Sequence, residues 1–486
     1  MTHAPTTPNF RQNVRAAMAD APLMEQMTTA LTGSMARRAG AAGAVPEFDL
    51  LRDAGRDLKN HVLEHLDVYL ETYEQAVTDA GGQVHWAETA EEARAIVLDI
   101  CRKAGAKTVN KGKSMISEEI GLNDFLEENG VQPVETDLGE YIIQLRRETP
   151  SHIIAPAMHV NVPQWREAFR KFHPHLPPDR DLEGLDKLLL EARGELRRKY
   201  FEAEVGITGA NMLIAETGQS VIVTNEGNGD LSQSLAKVHV VIASLEKIVP
   251  TLEDASTVLR LLARSATGQE MSVYTTFSSG PRRAEDPDGP EEYHVVLLDN
   301  GRSEMLGSEF QEMLRCIRCG ACMNHCPVYR AVGGHAYGWV YPGPMGAVLT
   351  PALIGVTQGG NLPNASTFCG RCEEVCPMRI PLPKMMRHWR EREFERKLSP
   401  RGMRRGMGAW AWAARRPGIY RLGASLAARA LRLLGAGSIR SLPLAGRAWT
   451  QTRDFPAPQR GGTFLAQWNP DAEGRRRGGP RPGAST

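Results

Sequence analysis

From Leu58 onward the apolar positions Leu58, Val62, Leu66, Tyr69, Tyr73 and Val77 recur at steps of four, four, three, four and four. This is the 3.6-residue period of a helix with one buried face, and Gly81-Gly82 ends it. A polar leader precedes it. The chain then alternates short apolar runs with helical patterns: a strand over 84–87, a helix near 91–103, a strand over 108–110 and a helix near 117–129. The same rhythm predicts strands at 141–145, 152–155, 221–224, 238–243 and 293–299, with a charged helix over 185–201. The strands read as apolar runs rather than strict alternations, so they fit a largely parallel sheet covered on both faces. Residues 281–290 are turn-rich and read as a surface loop within this α/β domain, which ends near Gly301. A charged helix is expected near 384–397. Apart from two Cys runs, no internal repeat is present.

Composition narrows the class. The 486 residues, 42% hydrophobic and 24% charged, suit two to three domains of roughly 150 residues each. A net charge of +1 excludes a basic balance that would drive bulk nucleic-acid binding, and no nucleic-acid partner is expected. The charge is uneven: residues 401–486 hold sixteen Arg, no Lys and three acidic residues, giving +13 and leaving −12 on residues 1–400. The first ten residues lack the apolar core of a signal peptide. The most apolar window, 348–356, is short and carries Pro351, so no membrane span is expected and the location reads as cytoplasmic. Seven of the eight Cys lie between Cys316 and Cys376. In a reducing compartment, such clustering points to metal rather than disulfides.

The first run is Cys316-Ile-Arg-Cys319-Gly-Ala-Cys322-Met-Asn-His-Cys326-Pro327, a complete C-x2-C-x2-C-x3-C-P. Two-residue gaps let one tight loop wrap three corners of a cubane, and the Cys before Pro ligates the other cluster in two-cluster ferredoxins. The second run, Cys369-Gly-Arg-Cys372-Glu-Glu-Val-Cys376-Pro377, lacks one thiol because position 366 is Ser366. Exchanging the last Cys of each run gives Cys316, Cys319, Cys322 and Cys376 for a [4Fe–4S] site and Cys326, Cys369 and Cys372 for a second cluster. The three-thiol site admits a [3Fe–4S] cluster, a [4Fe–4S] cluster completed by oxygen or nitrogen, or one with an iron open to substrate. The spacing does not choose among these three; [4Fe–4S] is the expectation carried forward over [3Fe–4S]. Ser366, Thr367, His325 and water are the candidate fourth ligands, with a turn role the simpler reading of Ser366. Arg315, Arg318 and Arg371 could raise the cluster potentials, although solvated arginines are the simpler expectation. Zinc fits poorly, since it pairs two C-x2-C knuckles into four-ligand sites.

Other signals are weaker. Lys111-Gly-Lys-Ser114 lacks the first Gly of a phosphate loop. Gly227-Asn-Gly229-Asp-Leu-Ser232 breaks the dinucleotide fingerprint at its last position and reads as a polar turn. Glu216 and Glu226 flank the apolar run 221–223 and are candidate bases, or solvated loop carboxylates. His152 and His159 bracket an apolar run and read as packing or surface residues. Cys101 lies beside Ile96, Val97 and Ile100 and reads as a small core hydrophobe. The tail sets Trp410, Trp412, Tyr420, Leu422, Leu426, Leu431, Leu433 and Leu434 among Arg and Ala. This is a basic amphipathic pattern suited to an anionic membrane surface or to the acidic body of the same chain. From about 461 its composition is that of a disordered end.

An α/β body joined to these Cys runs resembles the lactate utilisation protein B family, the iron–sulfur subunit of an L-lactate dehydrogenase complex. Phe10-Arg-Gln-Asn, Gly209-Ala-Asn-Met-Leu-Ile-Ala-Glu-Thr-Gly218, Asn225-Glu-Gly-Asn228, both Cys runs and Gly334-His-Ala-Tyr-Gly-Trp-Val-Tyr-Pro-Gly-Pro344 carry the resemblance. It implies a LUD-type body akin to sugar-phosphate isomerases and CoA transferases, an α-helical ferredoxin-like two-cluster module and a basic helical C-terminal segment. The expected divisions are 1–66 (helical), 67–300 (α/β), 301–397 (two-cluster ferredoxin type) and 398–486 (Arg-rich). It also implies two partner subunits, a CCG-domain protein and a second LUD-domain protein, that together oxidise L-lactate to pyruvate, and an electron-transfer role for this chain. Competing roles are an enzyme that binds lactate itself with Glu216 or Glu226 near an open iron, a glycolate-type complex subunit, and a redox-sensing module.

Overall fold

The computed structural model describes residues 4–435, 437–451, 453–458 and 463–467. Residues up to Arg396 form one compact unit and those from Lys397 another. The first unit is built on β1 (Gln83–Ala87), β2 (Thr108–Gly112), β3 (Gln132–Glu135), β4 (Val205–Gly209), β5 (Met212–Ile214), β6 (Gln219–Thr224), β7 (Val238–Ser244), β8 (Ile248–Val249), β9 (Tyr274–Ser278) and β10 (Glu292–Leu298). Six of them make a sheet in the order β1-β10-β7-β4-β2-β3, parallel throughout. Central β7 is buried at all seven positions, as burial on both faces demands. One face packs on Val97, Cys101, Leu122 and Leu126 and the other on Val62, Leu70, Tyr73 and Val77. Cys101 is thus a core residue. A second, mixed sheet runs β8-β5-β6-β9.

Several expectations are corrected. The segment 141–145 lies inside the helix Leu138–Arg146, because the Asp137 side chain caps it by accepting from Gly139 N and Glu140 N. Residues 152–155 form no strand: His152 Nδ1 accepts from Ile154 N and Ala155 N, which bends the backbone back on the side chain. The long helix is two, Phe48–Glu64 and Leu66–Asp79, separated at His65 (φ −130°, ψ 36°). The helix expected near 117–129 is likewise split, at Gly121. The polar turn at 227–232 is the start of the helix Asn228–Ser234, which β4 accommodates through Gly206. A Cβ there would lie 1.8 Å from the Ser232 carbonyl oxygen.

The leader is not extended chain. It forms the helices Phe10–Ala19 and Ala21–Gly43, and Met27 and Leu31 are buried in the same core as Cys319, Cys322 and Cys376. After β10 the chain folds into short helices and turns around the Cys runs, closed by the helix Leu382–Glu395. The second unit holds the helices Arg401–Ala414 and Pro417–Leu434. Of the tail from 461, only 463–467 fall within the described residues; the disorder expectation for the rest lies outside them.

Candidate metal centre

The two Cys runs adopt the same local form. In each, a residue with positive φ precedes the second or first thiol (Arg318 at 59°, Phe368 at 55°). A left-handed glycine, Gly320 or Gly370, then starts a one-turn helix, Ala321–Asn324 or Arg371–Glu374. These helices carry Cys322 and Cys372. Gly320 is required twice over, since its φ is 72° and a Cβ would meet the His152 ring at 3.1 Å. Each run ends on a Cys whose sulfur accepts a backbone N–H: Cys326 from Tyr329 at 3.5 Å and Cys376 from Ile380 at 3.4 Å.

All seven thiols are free, and they fall into two neighbourhoods. Cys322 feels Cys316, Cys319 and Cys376 and, least of the four, Cys372 of the other group, Cys319 feels Cys376 and Cys316, and Cys376 feels Cys316. Cys372 feels Cys326 and Cys369, and Cys326 feels Cys369. The first four line one small cavity, closed by Ile153, Met345, Met378 and Ile380. Among the described residues, no three His, Cys, Asp or Glu converge as ligands of a single ion. The four thiols instead ring a space, as the separate corners of a polynuclear cluster require. Burial pushes Cys319 and Cys372 up to about 12 and Cys376 up to about 11. Such thiols ionise only against compensating positive charge, which bound metal supplies. Cys369 is the exception in exposure, standing open to solvent.

The surroundings correct the reading of the arginines. Arg371 is exposed and pairs with Glu374, but Arg315 and Arg318 are buried. Arg315 pairs with Glu312. Arg318 donates to Glu246 Oε1 at 3.1 Å and lies over the Tyr341 ring. Two further arginines come from the N-terminal helices, where sequence gave no sign of them. Buried Arg52 donates to the Cys376 and Glu374 carbonyls at 2.8 and 2.6 Å, and Arg38 donates to the Val375 carbonyl at 2.7 Å. Tyr337, also unforeseen, is buried and acts on the Cys326 thiol. Ser366 accepts from Phe368 N at 3.1 Å, a turn role, and Arg390 fixes that turn from the Ser366 carbonyl. The His325 ring bonds the Ala321 carbonyl.

A buried ionic network joins the α/β body to the Cys-rich module. Arg302 pairs with Glu119 at 2.6 Å and Glu246 at 3.1 Å, and the Tyr341 hydroxyl donates to Glu119 at 2.6 Å. Burial would raise Glu246, yet Arg302 and Arg318 hold it down to about 2. His152 bridges the same parts through Asn324 at 3.0 Å and is held down to about 4 by burial, a packing role. His159 bonds Ser151 and Glu148.

The structure places the candidate bases away from the thiols. Glu216 accepts from Leu252 N at 2.7 Å and so caps the helix Leu252–Ala266. Glu226 accepts from Leu138 N at 3.0 Å. Burial and Asp137 push it up to about 7, and it lines a separate cavity of about 560 Å³ with Tyr200 and Asn228. Neither lines the thiol cavity.

Residues 70–298 match the LUD domain, 312–380 the 4Fe–4S dicluster domain and 378–468 the lactate utilisation protein B C-terminal model. The chain is 41% identical over 457 residues to lactate utilization protein B of Bacillus licheniformis, covering 93% of this chain and 95% of the relative. It is 42% identical over 472 residues to that of Oceanobacillus iheyensis, covering 95% and 96%. A solved DUF162 family protein from Deinococcus radiodurans, 14% identical, covers 48% of this chain and 98% of its own at a TM-score of 0.27, too low to bear on the fold. A LUD-type body, a dicluster module and full-length identity above two-fifths together place the chain in the lactate utilization protein B family.

Proposed function

We propose that the chain is the electron-transfer subunit of a complex that oxidises L-lactate to pyruvate for use as a carbon source. In this reading Cys316, Cys319, Cys322 and Cys376 hold one [4Fe–4S] cluster, and Cys326, Cys369 and Cys372 hold a second, [4Fe–4S] in preference to [3Fe–4S]. The gathering of Cys316, Cys319, Cys322 and Cys376 from both runs around one cavity is the observation that carries it, with Cys326, Cys369 and Cys372 acting on one another as the second group. Iron–sulfur clusters supply one-electron transfer when bound, and two of them match the two electrons that leave a 2-hydroxy acid on oxidation.

The residues of the chain do the rest. Three buried thiols, half-buried Cys316 and their apolar lid limit water at the four-thiol site, while Arg38 and Arg52 fix the Val375 and Cys376 carbonyls. Positive charge at Arg318 favours the reduced state of whatever Cys316 ligates. Exposed Cys369 puts the three-thiol site where a partner can approach. The partners in this reading are a CCG-domain subunit and a second LUD-domain subunit. A subunit of a glycolate-type complex or a redox sensor would share the thiols but not the response to lactate. Purified anaerobically and mixed with both partners, the chain should show reduced-state EPR signals that grow on L-lactate addition; glycolate-only reduction, or none, overturns the assignment.

Among the described residues no helix is long and apolar enough to cross a membrane, and we place the chain in the cytoplasm. Exposed Trp410, Trp412, Leu422 and Leu426 beside the tail arginines support peripheral contact with an anionic membrane face. Co-sedimentation with phosphatidylglycerol vesicles, lost in high salt, tests that contact; equal recovery with neutral vesicles refutes it.

A further inference from the structure

In a parallel α/β sheet, ligands bind beyond the carboxyl ends of the strands. Here β2, β4 and β7 are neighbours. Lys113 follows the end of β2, Ala210 and Asn211 follow β4, and Lys247 lies just past β7. All four residues line one cavity of about 100 Å³, whose opposite wall, Arg318 and Tyr341, belongs to the Cys-rich module. The cavity therefore lies between the sheet and the four-thiol site, and Lys247 and Arg318 both feel the charge of Cys316.

Among its side chains other than the thiols, cations outnumber carboxylates. Arg302, Arg318 and Lys247 are buried around two buried carboxylates, Glu119 and Glu246. Arg302 engages both carboxylates and Arg318 engages Glu246. Lys247 makes no hydrogen bond or close salt bridge among the described residues and is reached by negative charge only from Glu246 and Cys316, although only 7% of its surface is exposed. A buried ammonium with no hydrogen-bonded acceptor is costly unless an anion completes it. Lys113, also on the cavity, holds a φ of 42°, a strained conformation for a residue with a side chain and one that gathers at functional sites. The remaining wall is mostly apolar, with Ile116, Ile153 and Ile222, and Ser114, Asn211 and Thr224 add polar groups to it. The volume suits an anion of a few heavy atoms and is too small for a nucleotide or coenzyme.

We infer that this cavity binds a small monocarboxylate of the 2-hydroxy- or 2-oxo-acid class, with its carboxylate on Lys247 and Arg318 and its short carbon chain against Ile116, Ile153 and Ile222. The monocarboxylate follows from the cavity itself; the 2-hydroxy or 2-oxo class rests on the proposed function. A mostly apolar wall facing two cations matches a carboxylate with a carbon chain better than it matches inorganic phosphate. The site also sits beside the four-thiol group and not, as the sequence had suggested for a lactate-binding chain, beside the three-thiol group with Glu216 or Glu226.

The test is calorimetric titration of the full chain, anaerobically loaded with iron and sulfide, with sodium pyruvate and sodium L-lactate, using inorganic phosphate as the comparison anion. One of the two acids should bind once per chain, and phosphate should bind at least about tenfold more weakly. Lys247→Met should weaken binding by about tenfold or more. Ala266→Leu, which narrows the cavity without touching charge, should weaken it too, and iron content should stay at the parental value in both variants. No binding by fully loaded protein, phosphate binding as tight as that of the acids, or unchanged affinity in both variants overturns the inference. Binding by a chain that takes up no iron would keep the cavity assignment and defeat the iron–sulfur reading instead.

Discussion

Glu119→Gln tests whether the ionic network holds the α/β body and the Cys-rich module together. Glu119 is buried and accepts from Arg302 at 2.9 and 2.6 Å, from Tyr341 at 2.6 Å and from Asn300 at 2.7 Å. The amide can still accept some of these bonds, but Arg302 is left with Glu246 as its one carboxylate. Removing one partner of a buried pair costs about 3–5 kcal/mol, and the retained acceptors put Glu119→Gln near the low end, at about 3 kcal/mol. With an unfolding entropy of about 2 cal/mol/K per residue, a unit of this size loses about 4 °C of melting temperature. Arg302→Met takes a charged partner from both carboxylates at once and should cost about 6 °C, whereas the double variant should fall about as far as one single variant rather than by the sum. The assay is thermal unfolding of iron-loaded protein at one scan rate, followed by tryptophan fluorescence. The acid limb gives a second check. Arg302 holds Glu119 below the usual carboxylate range against the burial that would raise it, so its contribution is complete above the unfolded value of about 4.3 and fades as pH falls through the folded one. The gap between parent and Glu119→Gln should therefore close below about pH 4. A shift of less than about 1 °C at neutral pH, or additive single effects, would refute this account.

Arg52→Ala removes the donors to the Cys376 and Glu374 carbonyls, so iron should be lost to a chelator several-fold faster, read as bleaching of visible absorbance; an unchanged rate contradicts the positioning role. Cys322→Ser should remove the signal of one cluster and Cys369→Ser that of the other, each leaving about half the iron, whereas loss of the same signal by both would contradict the division of thiols. His239 is buried, shares a 2.8 Å bond with Thr208 and is held down to about 3 by burial. Its unfolded form takes up a proton below about pH 6.5, so stability should fall by about 1.4 kcal/mol per pH unit from there toward pH 3, and His239→Gln should flatten that slope in denaturant titrations.

The parts of this chain that speak locally were legible in its sequence. The apolar runs of β1, β7 and β10 and the four-residue spacing from Leu58 to Val77 carry their own periodicity, and the Cys spacing carries its chemistry. The helix Leu138–Arg146 was misread because Tyr141, Ile142 and Ile143 look like a strand. The Asp137 and Glu140 spacing was the available start signal. β4, with two glycines in five residues, offered too little apolar pattern to be seen. Nothing in the sequence joins Arg52 to Cys376, Glu246 to Arg318, or Lys247 to the Cys-rich module, because each contact depends on how distant segments pack. The buried state of Arg315 and Arg318 was hidden for the same reason: the covering residues lie far away in the chain.

Iron and acid-labile sulfide analysis with low-temperature EPR, on anaerobically purified protein before and after dithionite, tests the central claim most directly. The account predicts about eight irons per chain and two reduced-state signals, or about seven with an oxidised [3Fe–4S] signal if the three-thiol site lacks its fourth iron. Zinc in place of iron, or iron for one cluster only, would contradict it.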